Sequence, residues 1–350
     1  MKRYQKQIIL KEIGQTGQEK LANAKVLVIG VGGLGTAVLP YLAAAGIGKI
    51  GLIDGDQVEE SNLHRQVIYT EKSIHQNKVF EAEKFAQGLN SQVQIETYPY
   101  YLNPLNALEI INNYDIVVDA TDNIPARHLI NDACILLNKA FVYGAVYKFE
   151  GQVSVFNFKN GPTYRCLFKD TNENLSGCQE TGTLGTSVGL IGMMQANEVL
   201  KTILGTGEVL SGKLLTYNLL TNTQNLIRFK KNNFILVDLD FYQQTYLTKS
   251  QGISAKKALE ENRIFIDIRD EESINVISYK NLIRIPYSLL ENKINQLDKS
   301  QRYALFCQKG IQSKIAVQKL KKYHLNIKNI IEGADRVLKT LEYEKEKSIY

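Results

Sequence analysis

The sequence predicts an α/β protein in two parts: a mostly parallel sheet with an antiparallel extension, followed by a smaller α/β domain. The chain of 350 residues is long enough for two domains. Apolar, strand-like runs alternate with helix-like segments through the first 150 residues. Such alternation is typical of a parallel sheet with helices on both faces. A second alternating pattern begins near residue 252.

The predicted strands and helices of the first domain follow one another in a regular order. Strands are predicted over 25–30, 49–54, 92–100, 114–121 and 141–147, and helices from near Thr36 and over 75–90 and 126–139. Two later segments, 150–158 and 212–230, have the pattern of hairpin strands that close the domain.

The second domain repeats the alternation on a smaller scale. A helix is predicted over 253–263, strands over 263–270 and 303–310, and a second helix over 312–323. The predicted boundaries are 1–232 for the first domain, 233–251 for a linker and 252–350 for the second domain.

The composition argues against several classes of protein. The net charge is +6, and the basic residues are scattered among acids without an arginine-rich arm, so nucleic-acid binding is not implied. The N-terminus has no signal-peptide pattern, and polar residues interrupt the most apolar stretch, 188–204. We therefore expect a cytoplasmic protein without a membrane span. None of the four cysteines lies in a CxxC pair, which argues against a disulfide scaffold and a four-cysteine zinc site.

A glycine-rich turn, GVGGLG at 30–35, lies between the first strand and the first helix. Gly30, Gly32 and Gly35 satisfy the GxGxxG pattern, and Asp54 ends the next strand where a ribose-binding acid is expected. The pattern predicts a Rossmann-like site with phosphates over a helix N-terminus. By itself it leaves open NAD, ATP or a purely structural turn.

Charged residues beyond the strand ends favour a triphosphate. Asp54, Asp56, Asn62 and Arg65 lie in one segment, Lys78 opens the next helix, and Asp122 follows a further strand. The carboxyl ends of parallel strands converge on one crevice. Cations there would neutralise phosphate charge while a carboxylate holds Mg²⁺. An enzyme that transfers a hydride has less use for this combination of residues.

These residues also carry a family resemblance. GVGGLG, IDGDQVEESNLHRQ, the lysine of HQNKVFEA and the triplet TDN resemble, in this order, the HesA/MoeB/ThiF adenylyltransferases, bacterial relatives of ubiquitin-activating enzymes. The resemblance covers roughly residues 3–230. It implies a homodimer that binds Mg-ATP and adenylates the C-terminal Gly-Gly carboxylate of a ubiquitin-like sulfur carrier, as in molybdopterin or thiamin thiazole synthesis.

The resemblance assigns roles to residues that match the family's motifs. Arg65 and Lys78 would contact phosphates, and Asp122 would bind Mg²⁺. The full set expected to bind the nucleotide is Gly30, Gly32, Gly33, Gly35, Asp54, Asp56, Ser61, Asn62, Arg65, Lys78, Asp122 and Asn123.

Three positions depart from or complete the family pattern. Lys6 stands where the family has an arginine that enters the partner subunit's active site. The family's two CxxC pairs are reduced to Thr163 and Cys166, so we expect no zinc and a small core role for Cys166. Cys178 matches the cysteine of the family's crossover loop, where a covalent acyl or persulfide role and an inert loop thiol both stay open.

A second site is predicted around Cys307. The sequence places this cysteine after an apolar strand and before a short loop and a helix, whose N-terminus would stabilise a thiolate or persulfide anion. FIDIRDEES, RIPYSLL and CQKGIQS resemble rhodanese domains over about 252–335, which implies a persulfide on Cys307. Gln312 stands where arginine is frequent, so a cysteine desulfurase is a better expected sulfur donor than thiosulfate.

Together the two sites predict a sulfur-carrier adenylyltransferase fused to a sulfurtransferase domain. Arg65, Lys78, Asp122, Cys178, Cys307 and Lys6 are the candidate catalytic residues. Two alternatives are an NAD-dependent oxidoreductase with a regulatory domain and a non-catalytic scaffold that binds a ubiquitin-like protein.

Overall fold

The computed structural model of the chain describes residues 2–168, 182–242, 245–246, 252–269, 278–308, 311–320 and 323–347. The chain divides into two compact units, residues 1–242 and 243–350. Within the described ranges, none of the helices combines the length and the apolar character that crossing a membrane requires.

The first unit contains eight strands and nine α-helices within the described residues. The strands are β1 (Lys25–Ile29), β2 (Lys49–Ile53), β3 (Gln94–Tyr98), β4 (Ile116–Asp119), β5 (Ala140–Tyr147), β6 (Glu150–Phe156), β7 (Lys213–Asn218) and β8 (Thr223–Arg228). The helices are α1 (Gln5–Ile8), α2 (Gly14–Asn23), α3 (Gly33–Ala45), α4 (Lys78–Leu89), α5 (Ala107–Asn112), α6 (Ile124–Leu136), α7 (Tyr164–Leu167), α8 (Gly185–Leu204) and α9 (Leu239–Tyr242).

The eight strands form one sheet in the order β3-β2-β1-β4-β5-β6-β7-β8. The first five strands in this order, from β3 through β2, β1 and β4 to β5, are parallel to one another. The last three, β6, β7 and β8, continue the sheet in antiparallel fashion. The predicted Rossmann-like sheet with an antiparallel extension is therefore confirmed. The strand order reverses between β1 and β4, and ligands of such sheets bind beyond the carboxyl ends of the strands at this point.

The core of the first unit includes apolar side chains of β1, β2 and β4 packed with α3 and α8. The two helices approach closely at Gly192, where a Cβ would lie 2.6 Å from the Cβ of Ala37. Leu39 and Val199 are fully buried in this layer. Helix α8 thus buries a long apolar face inside the protein.

The second unit is a four-stranded parallel sheet in the order β10-β9-β11-β12. Its strands are β9 (Ile264–Asp267), β10 (Leu282–Arg284), β11 (Arg302–Phe306) and β12 (Asn326–Asn329), and its described helices are α10 (Ala255–Glu260), α11 (Leu290–Lys293), α12 (Ile311–Leu320) and α13 (Ala334–Lys347). Apolar residues cover both faces: Phe265 and Phe306 pack with α10 and α13, while Ile266 and Leu305 pack with α11 and α12. The predicted smaller α/β domain is confirmed. Strands β10 and β12 and helix α13 were not predicted.

Part of the predicted linker packs on the first unit. Tyr242, at the end of α9, is fully buried, and its hydroxyl donates a hydrogen bond to the Pro104 carbonyl at 3.0 Å. The guanidinium of Arg165 lies 5.1 Å from the ring centroid of Phe241. Aromatic burial therefore attaches residues 241–242 to the first unit.

Candidate functional site

The glycine turn after β1 brings the start of α3 close to the sheet. Gly30 has φ +91°, and a Cβ there would lie 2.7 Å from the Ala120 carbonyl oxygen. A Cβ on Gly35 would lie 2.1 Å from the carbonyl oxygen of Gly30. Helix α3 starts at Gly33, three residues before the predicted Thr36. The first N–H groups of α3 have no intrahelical partner and carry the positive end of the helix dipole, which suits a phosphate.

Asp54 joins the end of β2 to this turn. Its Oδ2 accepts a hydrogen bond from the Val31 N–H at 2.8 Å, and its Oδ1 accepts one from the Asp56 N–H at 2.8 Å. Burial raises the pKa of the Asp54 carboxyl, and the charge of Lys78 opposes that rise. Asp54, expected to contact the nucleotide, thus also holds the turn in shape.

Lys78 opens α4 and lies buried beside this segment. The Asn77 side chain accepts a hydrogen bond from the Val79 N–H and caps the helix. The Lys78 ammonium lies 3.2 Å from Asp56 Oδ2, and the Tyr101 hydroxyl donates to the other oxygen of Asp56. Sequence reasoning missed Tyr101, although it follows β3, the neighbour of β2.

The segment after β2 adds polar groups from a short 3₁₀ turn over 60–62. Asn62 is buried and accepts a hydrogen bond from the Glu59 N–H at 3.3 Å, while the exposed Ser61 donates to Glu59 at 3.2 Å. The Arg65 guanidinium donates to the Ser61 carbonyl at 2.9 Å. The hydrogen bonds that these side chains make therefore stay within the segment 59–65.

Gln66, which sequence reasoning also missed, links this segment to the glycine turn. Its side chain is buried, with Nε2 3.6 Å from where a Cβ of Gly32 would stand. The Oε1 of Gln66 accepts no hydrogen bond from the described residues. A buried acceptor without a donor is costly, so this oxygen can receive a hydrogen bond from a ligand at the turn.

Asp122 and Asn123 follow β4, which pairs with β1. The Asn123 side chain caps α6 by accepting a hydrogen bond from the Ala126 N–H at 2.8 Å. Asp122 is exposed. Since Ala120 touches the glycine turn, these residues leave the sheet beside it. The strand ends thus bring together the glycines, Asp54, Asp56, Lys78 and the segment 121–123.

Lys6 does not join this group within one chain. The neighbouring Gln7 donates a hydrogen bond to the Ala45 carbonyl at 3.1 Å, and Tyr4 lies against Gly46, both at the C-terminal end of α3. The glycine turn is at the opposite end of that 13-residue helix, about 20 Å away.

The remaining cysteines of the first unit have different surroundings. Cys166 is half-buried rather than a core residue, and its sulfur accepts hydrogen bonds from the N–H groups of Thr163 at 3.4 Å and Asn232 at 3.3 Å. Cys134 is fully buried in α6. Cys178 lies outside the described residues.

In the second unit, Cys307 follows the end of β11 and is buried. Its Sγ accepts a hydrogen bond from the Ser313 N–H at 3.3 Å and lies 3.7 Å from the Ser313 hydroxyl. Ser313 is the third residue of α12, so the thiol faces a helix N-terminus, while Gln312 is exposed. That environment favours a sulfur anion.

A buried ion pair lies next to Cys307 on the adjacent strand. Arg269 contacts both carboxylate oxygens of Asp267, the closest at 2.7 Å, and lies 3.4 Å from Gln308 Oε1. Asp267 pairs with Phe306 in the sheet register. The charge of Arg269 is thus largely neutralised by Asp267.

Comparison with known proteins shows the family of the chain. Residues 4–234 match the ThiF family. The chain belongs to this family. Adenylyltransferase and sulfurtransferase MOCS3 of Culex quinquefasciatus is 44% identical over 80% of the chain, which spans 65% of that relative. MOCS3-1 of Zea mays is 35% identical over 95% of the chain and 80% of its own length.

Two further matches each cover about two thirds of the chain. The sulfur carrier protein adenylyltransferase of Thermus thermophilus is 46% identical over 66% of the chain and 88% of its own length. The crystal structure of E. coli MccB with ATP is 24% identical with a TM-score of 0.58 over 63% of this chain and 67% of that chain, which shows the shared fold. The predicted enzyme class, an adenylyltransferase with a fused sulfurtransferase, is confirmed by the named relatives.

Proposed function

We propose that this protein uses Mg-ATP to adenylate the C-terminal Gly-Gly carboxylate of a ubiquitin-like sulfur carrier and then converts it to a thiocarboxylate with sulfur carried on Cys307. The observation that carries the first step is the convergence of the glycine turn, Lys78 and the segment 121–123 at the strand ends. The name of the Thermus relative supports the choice of a sulfur carrier as substrate.

In the first step, a carboxylate oxygen of the carrier attacks the α-phosphorus of ATP and pyrophosphate leaves. The glycine turn gives the phosphates access to the N–H groups of α3, and Lys78 supplies positive charge from a buried position. Arg65 is the second candidate cation. Mg²⁺, when bound, would neutralise phosphate charge, with Asp122 as its protein ligand. The enzyme contributes position and charge rather than a covalent nucleophile.

In the second step, the terminal sulfur of a Cys307 persulfide attacks the activated carbonyl carbon and AMP leaves. The product is an acyl disulfide with Cys307, and a thiol must attack the Cys307 sulfur to release the thiocarboxylate. Cys178 is our candidate for that thiol. The Ser313 N–H, which already bonds to the Cys307 sulfur, supports the anionic persulfide. A cysteine desulfurase is the proposed sulfur donor.

The test is intact-mass measurement of Gly-Gly carriers incubated with the protein, Mg-ATP and a persulfide donor. We expect the carrier to gain the mass of replacing one oxygen by sulfur. Cys307→Ala should stop at the adenylate, whereas Cys134→Ala, at a buried cysteine of the first unit, should behave like the wild type. Adenylate without thiocarboxylate in the wild type would refute the sulfur step. No modification of carriers from any of the candidate pathways would refute the adenylation.

A further inference from the structure

A pair of charged residues beneath the β4 loop, the buried Asp119 and the half-buried Arg127, has no role in the function described so far. Asp119 is the last residue of β4 and is fully buried. Its Oδ1 accepts hydrogen bonds from both the N–H of Thr121, at 3.0 Å, and the Thr121 hydroxyl, at 2.7 Å. One carboxylate oxygen therefore fixes two groups of Thr121.

Arg127 holds the same residue from the other side. It lies in the first turn of α6, and its Nη2 donates a hydrogen bond to the Thr121 carbonyl at 2.9 Å. Its Nε lies 3.9 Å from Asp119 Oδ2, and the guanidinium lies 5.4 Å from the ring centroid of Tyr143. The N–H, hydroxyl and carbonyl of Thr121 are thus all bound by one ion pair.

Neighbouring elements hold the pair itself in place. Gln195 of α8 donates a hydrogen bond to the Asp119 carbonyl at 2.7 Å. On the other side of Asp122, the Asn123 side chain is fixed by its capping bond to α6. Asp122 therefore lies between two residues whose positions are set by partly buried hydrogen bonds, while its own side chain is exposed.

The geometry of the pair favours positioning over stability. Elsewhere in the unit, Asp132 and Arg165 form a buried bidentate pair, with both N···O distances 2.7 Å. In contrast, Asp119 Oδ2 and Arg127 Nε make no hydrogen bond to the described residues. Buried ion pairs contribute little net stability even when their geometry is good. The hydrogen bonds of Asp119 Oδ1 and Arg127 Nη2 described above all go to Thr121, which begins the loop that carries Asp122.

We infer that Asp119 and Arg127 are positioning residues that clamp Thr121 and so set the direction in which Asp122 projects toward the metal and nucleotide. The inference rests on the proposed function, because it assigns the clamp a role in metal-dependent adenylation. The clamp contacts neither substrate in this scheme and acts through Asp122 alone.

The test uses the full chain with Mn²⁺ as a paramagnetic probe of the metal site. Free Mn²⁺ is measured by electron paramagnetic resonance in the presence of ATP and protein, and adenylation of the carrier is measured in parallel. Thr121→Val keeps the shape of the side chain but removes its hydroxyl. Arg127→Gln removes the positive charge and the planar guanidinium group. Both should raise the Kd for Mn²⁺ about tenfold and lower kcat at a saturating carrier concentration, while the KM for the carrier stays unchanged.

Two further variants separate positioning from folding. Arg127→Lys should recover only part of the Mn²⁺ affinity, since lysine keeps the charge without the planar fork. Arg165→Lys perturbs the Asp132–Arg165 pair and should leave the Mn²⁺ affinity of the folded protein unchanged. If Arg127→Gln does not fold, Thr121→Val decides the question.

The outcomes distinguish the inference from the function on which it rests. Wild-type Mn²⁺ affinity in both Thr121→Val and Arg127→Gln would overturn the clamp, as would an equal loss in Arg165→Lys. A wild-type protein that binds no Mn²⁺ with ATP and adenylates no carrier would instead overturn the proposed function.

Discussion

Two aromatic side chains of the segment after β8 have opposite environments. Tyr242 is fully buried and bonded to Pro104, whereas Phe234 is 97% exposed. Nothing in the local sequence ranks one above the other, because the burial of Tyr242 depends on α6 and the residues around Pro104. At the scale of the residue, then, tertiary contact decides which aromatic contributes to stability.

Substitution of these two residues tests where the first unit ends. Tyr242→Ala should lower the free energy of unfolding of the first unit by about 3 kcal/mol, because it removes a buried ring and leaves a cavity. Phe234→Ala should change it by less than about 0.5 kcal/mol. Urea unfolding followed by circular dichroism measures both. Equal effects would show that residues 239–242 are not part of the folded first unit.

At the scale of the element, the turn between β1 and α3 depends on glycine for two different reasons. Gly30 has a left-handed backbone conformation, and Gly35 allows the first turn of α3 to approach the Gly30 carbonyl. A side chain at either position would move the helix N-terminus away from the strand ends. The nucleotide site therefore depends on how closely a helix packs, as well as on its polar side chains.

Gly35→Ala tests that dependence. The added Cβ would lie 2.1 Å from the Gly30 oxygen, so we expect a loss of about 3 kcal/mol of stability together with loss of ATP binding. Gly88→Ala is the matched control, since a Cβ there meets nothing within 4 Å in helix α4. That change should stabilise the protein by about 0.5–1 kcal/mol. Urea unfolding and titration calorimetry with ATP would measure both variants, and unaltered ATP binding by Gly35→Ala would contradict the argument.

At the scale of the whole molecule, the position of Lys6 bears on the oligomeric state. Its neighbours Tyr4 and Gln7 attach the N-terminal segment to the end of α3 opposite the glycine turn. Within one chain Lys6 therefore cannot serve the nucleotide site. If it does act there, it must come from a second copy, which is the arrangement expected for a homodimer.

Mixed dimers test this arrangement. Lys6→Ala and Asp122→Ala should each be inactive as pure proteins. After subunit exchange at equal amounts, half of the dimers should contain one site with both native residues, so about a quarter of wild-type activity should return. Mixing two preparations of Lys6→Ala alone controls for dilution effects. No recovery after proven exchange would place Lys6 and Asp122 in the same chain's site, and full activity of pure Lys6→Ala would exclude Lys6 from catalysis.

The sequence alone determined the order of most elements and the residues at the strand ends. The alternation of apolar runs predicted β1, β2, β4 and the parallel sheet, and the GxGxxG spacing placed a turn where Gly30 and Gly35 lie. Such features are readable because they depend on residues close together in the chain: the strand period, the helix period and the backbone freedom of glycine.

Only the tertiary structure decided which distant groups meet. The contact of Tyr101 with Asp56, the placement of Gln66 against the glycine turn and the binding of Thr121 by Asp119 and Arg127 each join separate segments. Likewise, the burial of Tyr242 depends on Pro104, 138 residues earlier. No local periodicity encodes such contacts, because they arise when the sheet order places strand ends side by side and burial then requires each polar group to find a partner.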